Sequence, residues 1–113
     1  MGKSNKKSSA TPTLISKGCV LHGKIESNVF MRVDGNIEGD LFIDEKLIIG
    51  EDGFIDGNIQ TNEVIVYGTV KGSVKANLVY IKSSGKILGG LNTSVLHIEK
   101  GAVHVGSVVM KQK

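Results

Sequence analysis

A glycine-marked unit recurs through this chain, as "GNIEGDL" from Gly35, "GFIDGNI" from Gly53, "GTVKGSV" from Gly68 and "GKILGGL" from Gly85. Looser copies open and close the series, "GCVLHGKI" from Gly18 and "GAVHVGSV" from Gly101, each with one extra residue between its glycines. The six starts lie 17, 18, 15, 17 and 16 residues apart, a spacing too regular for a sandwich whose strands differ in role. Each unit then carries a second apolar pair at i, i+2: Met31 and Val33, Leu47 and Ile49, Val64 and Val66, Val79 and Ile81, Leu96 and Ile98, and lastly Val108 and Met110. That spacing belongs to a strand. About 16 residues at ~3.3 Å each can circle a narrow apolar core and return one strand spacing, ~4.8 Å, along an axis, which describes a parallel β-helix.

In such a helix like residues stack on like. The unit places Leu21, Ile37, Ile55, Val70 and Ile87 in one inward column and Ile25, Leu41, Ile59, Val74 and Leu91 in the next, followed by the two positions of the second pair. Gly23, Gly39, Gly57, Gly72, Gly89 and Gly106 form a column of their own at a corner, so the repeated glycine is geometric rather than phosphate-binding. β-branched residues and glycines dominate, and no stripe of helical period runs beyond one turn.

One domain fits a chain of 113 residues, and 15 Gly, one Pro, no Trp and 4 % aromatics favour an all-β core built on Val, Ile and Leu. Residues 1–14 are polar, basic and broken by Pro12, and 111–113 are similar, so both ends read as disordered tails around a body at 15–110. Within 18–110, 8 Lys and Arg against 11 Asp and Glu leave the body acidic, which argues against a nucleic-acid surface there. Cys19 is alone, there is no signal-peptide core, and no apolar run reaches membrane-spanning length, so the chain reads as cytoplasmic.

Signs of chemistry are few. His22, His97 and His104 have no partners at metal-ligand spacing, and Asp34, Asp44, Asp52 and Asp56 suit solvated turns better than a catalytic carboxylate pair. The glycine-rich stretches lack Gly-Lys-Ser/Thr and a following helix. No enzyme activity, metal or cofactor is expected. Neither terminal unit has a helix, a proline or a charge cluster over its open backbone edge, and an open edge is a template for another chain. End-to-end self-assembly is the function these features imply, with a non-polymerising solenoid adaptor that binds a partner along a lateral face as the alternative.

"TLISKG", "VDGNIEGDL", "LIIGEDGFIDGNI", "VIVYGTVKGSV" and "LHIEKGAVHVG" resemble, in order and spacing, the core of the bactofilin family of bacterial cytoskeletal proteins. The resemblance implies a right-handed parallel β-helix of about six windings that assembles without nucleotide into non-polar filaments through contacts between like ends. It also implies a scaffold for cell-wall or cell-shape machinery at the inner face of the cytoplasmic membrane. The expected assembly residues are Leu21, Ile25, Met31 and Val33 at one end and Val103, His104, Val105, Val108 and Met110 at the other. His104 stands where the family often has Phe after Gly-Ala-Val, so that contact is expected to be more polar. Lys3, Lys6 and Lys7 are the expected contact with an anionic membrane, weak because no Phe, Trp or Leu precedes Leu14.

Overall fold

Triplets between glycines, each with one buried aliphatic residue at its centre, become three-residue strands, and the glycine-free runs become long ones. A computed structural model describes residues 12–111, with the order β1 (Thr13–Ile15), β2 (Val20–His22), β3 (Ile25–Ser27), β4 (Met31–Val33), β5 (Asn36–Glu38), β6 (Leu41–Ile49) and β7 (Phe54–Asp56). It continues with β8 (Ile59–Val66), β9 (Thr69–Lys71), β10 (Val74–Ile81), β11 (Lys86–Leu88), β12 (Leu91–Ile98), β13 (Val103–Val105) and β14 (Val108–Met110). Every regular element among the described residues is a strand.

Strands β2, β5, β7, β9, β11 and β13 stack in chain order as a six-stranded sheet. The other eight strands form a second sheet, in which β3 and β4 both pair with β6. All pairings are parallel. Alternation of buried and exposed residues breaks phase at Asn62–Glu63 in β8 and at Asn77–Leu78 in β10, where two successive residues lie outside. That break marks a corner, so each long strand supplies two sides of a winding and the glycine-flanked short strand supplies the first side. The result is a parallel β-solenoid of about six turns, as the period requires.

Five inward columns fill the interior. Ile37, Ile55, Val70 and Ile87 form the first, and Leu41, Ile59, Val74 and Leu91 the second. The third, which the glycine spacing does not reveal, is Ile43, Thr61, Ala76 and Thr93, with the Thr93 hydroxyl donating 3.0 Å to the Val95 carbonyl at the corner. The remaining two are the expected second pairs, and their Val and Ile members from Val33 to Ile81 are fully buried. Ile59 is 2 % exposed, so Ile59→Ala should cost about 2–4 kcal/mol through the cavity it leaves. A chemical-denaturation midpoint equal to that of the parent would place this column outside the core.

Three boundaries differ from the sequence expectation. Thr13 and Leu14, assigned to the tail, belong to β1, which pairs with β4 as Thr13 with Met31 and Ile15 with Val33. The rest of the expected N-terminal tail, and 112–113 of the C-terminal one, lie outside the described residues. Second, Asn36 pairs with Val20 and Lys86 with Val103, so Cys19 and Ala102, not Gly18 and Gly101, occupy the column of the unit-opening glycines. Gly18 and Gly101 instead take φ of +95° and +100° in the preceding turns, closed by the Cys19 and Ala102 amides donating 3.0 Å to the Ser16 and Glu99 carbonyls. Third, Val108 and Met110 pair with Leu91 and Thr93, so they continue the second and third columns rather than the second-pair columns. Among the described residues the last winding therefore has two of its three sides, while β1 adds one side at the opposite end.

Candidate assembly surfaces

A strand inside the stack bonds to a winding on each side, whereas a strand in the first or last layer keeps one edge unpaired. At the N-terminal end those edges are β1, β2 and β3, whose inward side chains Ile15, Leu21 and Ile25 have a winding on one side only. At the C-terminal end they are the second half of β12, then β13 and β14, with Leu96, Ile98, His104, Val108 and Met110 turned to the axis. Ile98 and Met110 are each 52 % exposed, whereas Ile81, one winding deeper in the Ile98 column, is fully buried. The difference is the missing next layer. No helix, and no other strand, covers either end among the described residues.

His104 pairs in register with Ile87 and so takes the inward place of the first column. Its half-buried ring sets Nε2 2.9 Å from the Gly89 carbonyl oxygen, an acceptor, so Nε2 carries a proton and donates. The imidazole thus closes the first column with one polar edge anchored to the winding beneath. A phenyl ring would lose that bond and offer a wholly apolar cap. His104→Phe should lower the critical concentration for assembly by about tenfold, equivalent to ~1.4 kcal/mol per contact. A critical concentration at or above that of the parent, measured by pelleting, would remove His104 from the contact.

The other expected surface residues divide. Leu21, Ile25, Val108 and Met110 lie at the ends and face the axis. Met31 and Val33 do not lie at an end: β1 covers them, and they are 2 % and 0 % exposed. Val103 and Val105 alternate with His104 and point outward on the side wall, 38 % and 62 % exposed. Ile15, Leu96 and Ile98 belong to the ends but were not expected there. Lys3, Lys6 and Lys7 fall outside the described residues.

The three histidines occupy unrelated places. His22 Nδ1 lies 3.0 Å from Glu38 Oε1 on the outer wall of the first side, and His97 stacks on Tyr80 with centroids 4.8 Å apart and planes 8° from parallel. No group of three potential metal ligands occurs among the described residues. No helix there is long and apolar enough to cross a membrane.

Comparison with known proteins gives a consistent answer. The family model for bactofilins, described as polymer-forming cytoskeletal, matches residues 13–109. Bactofilin BacO of Myxococcus xanthus is 26 % identical over 102 residues, spanning 89 % of this chain and 81 % of that protein. The double helical filament structure of Thermus thermophilus bactofilin superposes with a TM-score of 0.85 at 26 % identity, covering 88 % of this chain and 99 % of that one. The solid-state NMR structure of the cytoskeletal bactofilin BacA shares the fold, with a TM-score of 0.82 at 24 % identity over 90 % of this chain and 98 % of that one. A stack of windings open at both ends and a family match over nearly all of it agree: the chain belongs to the bactofilins, the polymer-forming cytoskeletal proteins.

Proposed function

We propose that this chain assembles end to end, without nucleotide, into cytoplasmic filaments that act as a scaffold for cell-wall or cell-shape machinery at the inner face of the membrane. The observation that carries the reading is the pair of bare ends, each with three unpaired strand edges around apolar side chains that face the axis. Stacking a second molecule there would pair the edges and extend the columns without any new element. No step of this kind needs a nucleotide, because the free energy comes from apolar burial and backbone pairing.

The shape of the ends supports a contact between like ends. A two-fold axis through the middle of β13 sets this strand antiparallel to its own copy, with His104 beside the axis. It also places β14 of each molecule over the uncovered half of β12 in the other, and that half lies one winding lower than β14. The high edge of one molecule fills the low edge of its partner. At the other end a two-fold axis through β2 does the same for β1 and β3. The filaments of the Thermus thermophilus relative are double helical, and pairing of two strands is part of the proposed assembly. Pelleting and negative-stain microscopy of the nucleotide-free protein test the reading: filaments are expected, and a small discrete species at all concentrations would favour the adaptor.

A further inference from the structure

The outer wall of the third side differs from the other two. Ile48, Ile65 and Tyr80 follow one another in a single outward column, Leu78 and Val95 stand side by side in the next, and Tyr67 flanks them. All but Val95 are half-buried although no strand lies above them, because they shield one another. Both tyrosines of the chain are on this wall. On the outer wall of the second side the apolar Phe42 and Val109 stand apart, separated in their column by Gln60, Lys75 and Asn92, and Asn62 and Asn77 beside that column are bonded to each other at 2.6 Å.

Charged side chains on the strands of the third wall are paired within the chain, whereas Glu51, in the turn beside Ile48 and Tyr67, has no ion pair among the described residues. Arg32 is paired with Asp34 at 2.9 Å, Lys46 with Glu63 at 3.8 Å, and Lys82 with Glu99 at 3.4 Å. The Asp34 carboxylate bonds both Arg32 Nε and Nη2 and holds the guanidinium pKa above its ordinary value. On the first and second walls, Lys71, Lys75 and Lys86 have no ion-pair partner among the described residues. Covering the strands of the third wall would therefore strand no lone charge in a dry contact, with the exposed Glu51 left at the rim.

We propose that this wall is the surface along which two filaments of this chain lie side by side; the inference rests on the filament reading above and names the contact it needs. The wall measures about six windings of ~4.8 Å by four residues of ~3.3 Å, roughly 400 Å². Two such walls bury roughly 800 Å², below the ~1,200 Å² of a stable complex between single molecules. An occupant that docks once gains too little there. A second filament presents the same wall again and again, so weak contacts act in concert. The paired charges favour the same occupant, since an acidic or basic partner would find no net opposite charge on the strands of the wall.

The test compares two lysine substitutions on the outer side of β8, Ile65→Lys on the third wall and Gln60→Lys on the second, by mass per unit length in scanning transmission microscopy. Paired strands are expected in the parent and in Gln60→Lys, and a two-fold lower mass per length in Ile65→Lys with the pelleted fraction unchanged. Parent pairing should persist in 1 M salt. Single strands in the parent, an undiminished mass per length in Ile65→Lys, or an equal drop in Gln60→Lys overturns the proposal. So does loss of all polymer by Ile65→Lys at an unchanged melting temperature, which would assign the residue to growth of the filament itself. If Ile65→Lys melts early, Ile65→Ser replaces it, with the same halving expected and the same results counting against it. Pairing that appears only after residues 2–11 are deleted would make the chain's own tail the occupant and also overturns the proposal. Failure of the parent to form any filament is a separate result, which removes the reading of end-to-end growth.

Discussion

Ile98→Arg is expected to stop growth at the dimer. Ile98 is half-exposed in the single chain and lies on the uncovered half of β12, so an arginine there costs the isolated fold little. In the assembled contact the guanidinium would be desolvated against the apolar β14 of the partner, without a carboxylate opposite. An unpaired buried charge costs ~3–5 kcal/mol, about two to three and a half orders of magnitude in association. Because like ends meet in the proposed filament, the N-terminal ends remain competent and join two molecules of 12.0 kDa each. Sedimentation equilibrium should show that dimer and no pellet. Monomers would mean that unlike ends meet, and long filaments would take Ile98 out of the interface.

Gly57→Val is expected to abolish the fold itself. Gly57 holds φ of +158° at the corner after the first side, and its amide donates 3.0 Å to the Lys71 carbonyl in the next winding. A Cβ there would fall deep inside the carbonyl of Gly39, the glycine stacked beneath it, so the two windings would have to part. Backbone strain of ~1–3 kcal/mol is then the smaller share, and the total exceeds ~5 kcal/mol, beyond what a domain of this size can lose. Gly23→Ala separates the two effects. Gly23 has φ of +117° but nothing within 4 Å of the added carbon, so only the strain of about 1–3 kcal/mol should appear. Equal circular dichroism melts for Gly57→Val and the parent would refute the stacking argument; equal losses in Gly57→Val and Gly23→Ala would show that φ alone governs both.

The fold was readable because the same local rule is written about six times. Glycine two residues past an inward side chain, aliphatic in all windings but the last, marks the first side, and strand spacing marks the other sides. Where the array starts and stops was less readable. An apolar pair at i, i+2 looks the same on the second side as on the third, so Val108 and Met110 passed for a second pair although they stack on Leu91 and Thr93. The triplet Thr13–Ile15 lacks a flanking glycine, which hid β1 and left Met31 and Val33 as the supposed end. His104 had a usable signal: it stands two residues before Gly106, as Ile87 stands two before Gly89, yet the flanking valines suggest the opposite phase. What one chain cannot reveal is which side chains lack a layer above them, because that depends on the depth of each residue in the stack.

Parallel strands in register, piled along one axis with like residues in columns, are also the internal order of amyloid. Here that order is built within a single chain and is limited by its length. Oriented fibres of the native filament should give the same ~4.8 Å meridional reflection as an amyloid deposit. A longer repeat tells them apart: six windings of ~4.8 Å set a molecular length of about 29 Å, and two-fold contacts at both ends double it to about 58 Å. Dyes that sense stacked strands should therefore stain the working polymer, and only the long spacing separates a functional filament of this protein from a misfolded one.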